Sequence, residues 1–579
     1  MNHPIIENFY AADGTKIIFR YWQPHNDNQR VMVLLHRGHE HSGRTEELAD
    51  SFVKQGYRVY AWDARGNGLS EGERDYAESY SVFEDDLNRF IKRIQKDTNL
   101  PLSQFVLVAS SMGALIAASW VHDYAPNIRG LILATTAFQI RLYVPFAESL
   151  LTLARQFNWM PRVSSYVKSK VLTHDRNEQK KYNKDELISS SISTDLLLDT
   201  LKTGRRIIDD AGAITTPILY LAAGKDWVVH RQPQRQFFER LSSEHKEWEY
   251  YPDNFHALFN EDNRETIFQR CHQFIERLFE APIPSWDYSK ADKYGYSRDR
   301  YDSMMLPSWN PLYAAARFGI RYLGGLSTGI KLGRNQGFDS GASLNYVYQN
   351  QPDGVSLLGK WIDRNYLNAA GWTGIRERKV MLYRLIEECL VSIESTANSD
   401  SSIHITDIAA GNGQYLFEIL KNHDQVNAEF RELLPHNIDI MQQRTFELKL
   451  EDRLSLVQSD AFKLESYNEA NYSDIFISSG LFELFTGNDE IKTAIKGIFQ
   501  QLKPNGYYIY TNQPWHEQQQ LIAKTLRNHR NQFWTMRCRT QAEMDALVES
   551  AGFVKTDMLM DTSGMFTVSV ARKKTAAEQ

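Results

Sequence analysis

Two stretches of the chain alternate short, near-continuous apolar runs with longer segments of helical periodicity, and a different kind of sequence separates them. In the first stretch the apolar, β-branched runs are Lys16–Trp22, Val31–Leu35, Arg58–Trp62, Phe105–Val108, Leu131–Ala134 and Ile218–Ala222. Runs of this length between helical patterns predict a parallel sheet covered on both faces. From Ile140 to about Arg206 the alternation breaks into a long, helical, apolar interval (Leu142, Val144, Phe146, Leu150, Leu151, Leu153, Phe157, Trp159), as expected of a cap inserted over a sheet. A second alternating block has runs at Ile403–Ile408, Leu454–Val457, Ile475–Ser478 and Tyr507–Tyr510.

Between the blocks, Pro282, Pro284, Pro307 and Pro311 stand amid Trp286, Tyr288, Tyr294, Tyr296, Tyr301 and Trp309. So many aromatics would be unusual in a freely solvated tether, and the segment reads as a linker lying on a surface. The expected organisation is an α/β unit over 1–280 with its cap at about 140–206, and then a linker with helical extension over 281–342. A second α/β unit over 343–573 and a tail at 574–579 complete it. Length agrees, since 579 residues exceed what one core supports.

Charge narrows the partners. Lysine and arginine number 66 against 72 acidic residues, a net charge of -6 that argues against nucleic acid as a partner. The three cysteines, Cys271, Cys389 and Cys538, are far apart and in no metal-ligand spacing, so no metal site is expected and a reducing compartment is. Met1-Asn2-His3-Pro4 carries no basic, apolar leader, and no apolar run reaches the ~18 residues of a membrane span. The expectation is a soluble, cytoplasmic protein.

Phe105-Val-Leu-Val-Ala109-Ser110-Ser111-Met112-Gly113-Ala114 reads as strand, sharp small-residue turn and helix, the context of the nucleophile elbow G-x-S-x-G with Ala109 in its first glycine position. Ser111 would stand at a helix N-terminus, where the following amide can stabilise an oxyanion. Asp226 lies just past the run Ile218–Ala222, and His256 follows 30 residues later. A serine nucleophile needs an imidazole to take its proton and a carboxylate to hold the imidazole's tautomer, so Ser111, Asp226 and His256 are the candidate triad.

With His36-Arg37-Gly38-His39-Glu40-His41-Ser42-Gly43-Arg44 and Asp63-Ala-Arg65-Gly66-Asn67-Gly68-Leu-Ser70-Glu71-Gly72, these segments resemble the monoacylglycerol lipase and lysophospholipase branch of the α/β-hydrolases. The resemblance covers the first 280 residues. It implies a serine ester hydrolase acting on acylglycerol- or lysophospholipid-like esters, with oxyanion-hole amides from Gly38 and Met112. Arg37 and His39 stand where that branch usually carries glycine. Arg37 could bind an anionic headgroup, mark a hydrolase that has drifted from general lipase activity, or point to solvent.

In the second block, Ile403-His-Ile-Thr-Asp407-Ile-Ala409-Ala410-Gly411-Asn412-Gly413 is a strand running into a small-residue turn and a helix. Small residues let backbone approach a cofactor closely. A dinucleotide fingerprint would need a third glycine at Leu416, which disfavours NAD. Glu432 lies 25 residues beyond Asp407, at the end of a second strand, and Ser459-Asp460-Ala461-Phe462 follows the third. With Asp474-Ile-Phe-Ile-Ser478-Ser479-Gly480 and Leu502-Lys-Pro504-Asn505-Gly506-Tyr507, these parts resemble class I methyltransferases over Ser343 to Lys573. The resemblance implies a Rossmann-like fold binding S-adenosylmethionine through Asp407, Ala409, Gly411, Gly413, Glu432, Asp460 and Ala461. Glu432 would hold the ribose, and the Asp460 segment would lie near the adenine.

The methyl acceptor is not written in a known motif. Candidate contacts are Asn512-Gln513-Pro514-Trp515-His516, and Arg537 and Arg539, a pair that would suit a phosphate or carboxylate or else form structural salt bridges. The whole arrangement resembles a bacterial family of fused hydrolase–methyltransferase chains. Two expectations follow: a bifunctional enzyme in one lipid-related pathway, or one catalytic module joined to a cofactor-sensing or scaffold domain. The apolar interval near Phe146 and the basic amphipathic stretch Leu312–Arg334 add an expectation of peripheral contact with the inner membrane face.

Overall fold

The computed structural model describes residues 3–283, 286–395, 402–467 and 472–575. Pro284 and the last four residues of the expected tail lie outside them. The chain divides into two compact units, Met1–Trp286 and Asp287–Gln579.

The first unit is built on an eight-stranded sheet ordered β1-β2-β4-β3-β5-β6-β9-β10. Its strands are β1 (Ile5–Tyr10), β2 (Lys16–Trp22), β3 (Val31–Leu35), β4 (Arg58–Trp62), β5 (Phe105–Ser110), β6 (Gly130–Ala134), β9 (Ile218–Ala223) and β10 (Lys246–Tyr251). β7 (Arg162–Ser164) and β8 (Ser191–Ser193) form a separate hairpin. β1 and β2 run antiparallel at one edge, and from β4 to β10 every pairing is parallel. β3, β5, β6 and β9 are buried at every residue, which is why they read as unbroken apolar runs. β1 and β10 carry no continuous apolar run because each is an edge strand with polar, partly exposed positions.

The interval expected as a cap contains helices Ala147–Gln156, Ser169–Leu172, Arg176–Lys184 and Thr194–Asp209, besides the hairpin. The last of these is also a core element. A Cβ at Gly204 would lie 2.0 Å from the carbonyl oxygen of Phe138, so the helix touches backbone there. Its Arg206 donates two 2.7 Å hydrogen bonds to buried Asp123.

The second unit carries a seven-stranded sheet ordered β13-β12-β11-β14-β15-β17-β16. The strands are β11 (Ile403–Ile408), β12 (Val426–Glu432), β13 (Leu454–Gln458), β14 (Ser473–Ser478), β15 (Leu502–Asn512), β16 (Phe553–Met560) and β17 (Thr567–Lys573). The first five are parallel, and β17 and β16 close the sheet as an antiparallel pair. The strand order reverses between β11 and β14, the place where open α/β sheets bind ligands.

The expected linker needs correction from Asp287 onward, because that stretch folds as part of the second unit. Helices form at Tyr296–Met305, Pro311–Tyr322 and Thr328–Gln336. Ser297 is buried and donates to Glu543, and Asp292 accepts from the Asn488 amide at 3.1 Å. Of the linker's aromatics, Tyr288, Tyr296 and Tyr301 are partly buried, whereas Trp286, Tyr294 and Trp309 stay exposed.

Candidate functional site

In the first unit three parallel strands deliver the candidate triad at their carboxyl ends. Ser111 follows β5 with φ 55° and ψ -115°, then caps the helix Met112–Tyr124. A backbone turning that sharply admits no side chain two residues on: a Cβ at Gly113 would lie 2.4 Å from the His36 carbonyl oxygen. Ser111 Oγ lies 2.9 Å from His256 Nε2, and His256 Nδ1 lies 2.8 Å from Asp226 Oδ2. The other Asp226 oxygen accepts from the amides of Val228 and Val229 at 2.8 and 3.0 Å. Thr135, which the sequence did not single out, donates to the His256 carbonyl at 2.9 Å and pins the ring's backbone. Ser110, by contrast, keeps its hydroxyl buried without a hydrogen-bond partner.

Ser111 and His256 open on a cavity of about 460 Å³ walled by Leu142, Val144, Leu150, Leu151 and Val163, with Gly38 and Met112 beside the serine. A Cβ at Gly38 would lie 2.7 Å from Met112 Sδ, so glycine there permits the close approach of the two segments.

The loop of Gly38 is fastened by buried polar groups. His36 Nε2 accepts from the Ala64 amide at 2.9 Å, which leaves the proton on Nδ1 to donate to the Arg37 carbonyl at 2.6 Å. His39 adopts φ 68°, the conformation for which glycine is the ordinary choice, and Asp75 holds its ring nitrogen at 2.8 Å. Arg37 does not point to solvent but lines the cavity. It is 6% exposed and donates 2.6 Å to Glu40. Burial alone would raise the Glu40 carboxyl, but the charges of Arg37 and Arg44 hold it below its usual range.

In the second unit the turn after β11 carries three left-handed residues, Ala409, Gly411 and Gly413, each at φ 58°. A Cβ at Gly413 would strike Phe430 at 2.3 Å, whereas one at Gly411 would meet nothing within 4 Å. Gly411 therefore faces open space at the strand-order reversal. Glu432, ending β12, accepts from the Gly411 amide at 2.9 Å and from the amides of Leu433 and Leu434 at 2.9 and 3.0 Å. Asp407 is fully buried, and one of its oxygens accepts 2.6 Å from the Tyr415 hydroxyl while the other has no partner. Burial, with a smaller push from the Glu432 charge, raises its carboxyl to about 8. Asp460 follows β13 and accepts from the Phe462 amide at 3.0 Å, and the carbonyl of Ala461 accepts from Tyr467 at 2.6 Å. An orphaned buried oxygen, an acid at the next strand's end and an open glycine cradle fit a nucleoside-bearing cofactor here.

The candidate acceptor residues separate. Gln513 and His516 line a second cavity of about 240 Å³. Arg537 and Arg539 are spent on structure: Arg537 binds Glu543 and Asn488 at 2.8 and 2.7 Å, and Arg539 binds the carbonyls of Phe482, Phe485 and Gly487. Arg378 and Glu483 also line that cavity, and nothing in the sequence marked either as a contact.

The two sheets and their sites define an α/β-hydrolase joined to a Rossmann-like methyltransferase fold. The chain belongs to the family whose model, described as "Putative methyltransferase", matches residues 271–573, and a model described as "Serine aminopeptidase, S33" matches residues 26–263. It is 40% identical over 580 residues to the uncharacterized protein YnbC of Escherichia coli (strain K12), with 98% of each chain covered. The first unit is similar to the monoglyceride lipase of Rattus norvegicus, 28% identical over 43% of this chain and 82% of that protein. It is also similar to phospholipase YtpA of Bacillus subtilis (strain 168), 25% identical over 43% of this chain and 95% of that one. Among solved structures, a soluble variant of the Saccharomyces cerevisiae monoglyceride lipase matches 48% of this chain and 96% of its own, at 19% identity and a TM-score of 0.44.

Proposed function

We propose that this chain is a bifunctional enzyme, a serine hydrolase of acylglycerol- or lysophospholipid-like esters joined to an S-adenosylmethionine-dependent methyltransferase of the same lipid-related pathway. The observation that carries the first half is Ser111 Oγ at 2.9 Å from His256 Nε2, at the floor of an apolar cavity. His256 takes the serine proton as Oγ attacks the ester carbonyl, then returns it to the leaving alcohol. Asp226 keeps the second ring nitrogen protonated and steadies the imidazolium. The amides of Gly38 and Met112 receive the developing oxyanion. The apolar cavity, and the similarity to a monoglyceride lipase and a phospholipase, favour a fatty acyl chain.

The methyltransferase half rests on the open cradle at Gly411. Bound there, S-adenosylmethionine supplies an electrophilic methyl group. Glu432 would accept from its ribose hydroxyls, Asp407 would fix the strand-to-turn geometry, Ala409, Gly411 and Gly413 would admit its backbone-hugging part, and Asp460 and Ala461 would lie along the base. The protein works on the cytoplasmic side, in peripheral contact with the membrane that holds its esters.

Fluorophosphonate labelling tests the first half. Ser111→Ala should abolish labelling and cut monoacylglycerol hydrolysis by several orders of magnitude, while Ser110→Ala leaves both. Labelling that survives in Ser111→Ala removes the assignment. Calorimetry with S-adenosylmethionine tests the second half, with heat expected from the parent and none from Gly411→Val.

A further inference from the structure

The second cavity of the methyltransferase unit begins where β14 ends. Gly480, two residues past Ser478, forms part of its wall, and Ser478 pairs in register with Ile408, the residue before the Ala409–Gly411 turn. The cavity and the open glycine cradle therefore both lie past the carboxyl ends of the two adjacent strands between which the strand order reverses. Its walls are Phe338, Tyr366, Trp372, Trp534 and Phe566. Tyr366 and Trp372 meet edge to face at 5.7 Å between centroids. A volume of about 240 Å³ is small for a ligand site, which ordinarily runs ~300–1,000 Å³.

Asp339, Arg378, Glu483, Gln513, His516 and Gln518 break this apolar surface, and Glu483 and His516 do so in a chemically specific way. Glu483 is nine-tenths buried. Its Oε1 accepts 2.8 Å from Thr511 and lies 3.6 Å from Arg378 Nη1, while its Oε2 is buried without a hydrogen-bond partner. Leaving such an oxygen unpaired in a buried place is costly, so the site is complete only when something donates to it. His516 presents the opposite function. Its Nδ1 accepts from the Gln518 amide at 3.0 Å, and burial lowers its pKa to about 4. The ring is neutral, its proton sits on Nε2, and a Cβ placed at Gly371 would lie 2.7 Å from that atom. His516 is thus a donor and cannot serve as a base.

We propose that this cavity binds the methyl acceptor, a compact, uncharged aromatic compound bearing a hydroxyl, and that Glu483 accepts the hydroxyl proton. The assignment rests on the methyltransferase reading given above. Flat aromatic walls select a planar ring. The vacant carboxylate oxygen selects an O–H, and would repel a carboxylate placed against it. In the transfer, the hydroxyl proton moves to Glu483 Oε2 and the acceptor oxygen's lone pair bonds to the methyl carbon of S-adenosylmethionine. The carbon–sulfur bond breaks with its electron pair left on sulfur, giving a methyl ether and S-adenosylhomocysteine, and Glu483 then releases the proton to solvent. His516 Nε2–H orients the bound oxygen and does not touch the proton balance.

The test uses the full chain, S-adenosylhomocysteine, and two probes of one shape, 2-naphthol and 2-naphthoate. Calorimetry should first show S-adenosylhomocysteine binding; its absence would remove the methyltransferase reading and this proposal with it. With that ligand present, 2-naphthol should bind at least tenfold more tightly than 2-naphthoate. Glu483→Gln should bring the two within threefold of each other, because the amide neither repels the anion nor demands a donor. Ile375→Trp, or Ala369→Phe should the first not fold, fills the cavity and should abolish 2-naphthol binding with S-adenosylhomocysteine affinity unchanged. Three results would overturn the acceptor site while sparing the cofactor site: no heat from 2-naphthol, a parent preference for 2-naphthoate, or 2-naphthol binding undiminished by either filled cavity.

Discussion

Arg37 donates a 2.6 Å hydrogen bond to Glu40, and the two side chains, 7% and 4% exposed, form a buried ion pair in the loop that carries Gly38. A buried pair of this kind contributes little net stability but is costly to break, since the surviving charge has no water to turn to. Arg37→Met should therefore destabilise the hydrolase unit by about 3 kcal/mol. The double variant Arg37→Met/Glu40→Gln should recover most of that loss. Urea unfolding of the three proteins checks it, and equal losses in the single and double variants would deny the coupling.

The Asp407 carboxyl makes a pH prediction of definite sign. Its folded value of about 8 stands far above the ordinary carboxylate value of 3.8. Below both values folded and unfolded chains carry the proton alike. As pH rises from about 4 to about 8 the unfolded chain loses it first, so this group withdraws stability across that window, at most about 1.4 kcal/mol per pH unit. Asp407→Asn, which keeps an acceptor for Tyr415, should match the parent in thermal unfolding at pH 4 and exceed it at pH 8. An identical pH dependence in both proteins would show that Asp407 ionises normally.

The sequence was legible wherever one local pattern carried the geometry. The elbow at Ser111, the acid past β9 and the base past β10 each sit on a short motif, and the structure brings the three side chains within hydrogen-bond distance. The turn Ala409–Gly413 is legible for the same reason. The acceptor cavity is not, because its walls run from Phe338 to Phe566 and no window holds more than a fragment. Arg537 and Arg539 stood open in sequence between an anion site and structural salt bridges for a related reason: the sequence shows two cations, and only the fold shows Glu543, Asn488 and the carbonyls that make the second reading hold. Tyr415 is silent in sequence because a tyrosine on a helix is ordinarily core; here its hydroxyl reaches back to Asp407.

Limited proteolysis should cut in a narrower place than proline and aromatic content suggests. From Asp292 onward the segment is tied to the second unit through Asn488, Glu543 and Arg537. Cleavage is expected between Ala281 and Asp287, giving two stable fragments, with Tyr288–Asn310 protected. Early cuts within Tyr296–Met305 would mean that this helix does not pack as described.

Peripheral membrane contact makes the last prediction. No described helix is long and apolar enough to cross a membrane. Two faces supply means for surface contact. Over the hydrolase cavity Phe146 is 83% and Trp159 71% exposed, with Phe157 stacked on Trp159 at 5.1 Å. In the second unit Leu312, Phe318 and Tyr322 are exposed on the helix that also carries Arg317 and Arg321. Apolar insertion is insensitive to salt, whereas attraction of cations to an anionic surface, about 1 kcal/mol each, is screened. Cosedimentation with phosphatidylglycerol-containing vesicles should thus show strong pelleting at low salt and reduced but measurable pelleting at high salt. Phe146→Asp with Trp159→Asp should remove the salt-resistant part, and Arg317→Glu with Arg321→Glu the salt-sensitive part. Negligible pelleting of the parent at both salt concentrations would leave an enzyme that draws its esters from solution, and would reassign the exposed aromatics to the rim of the cavity.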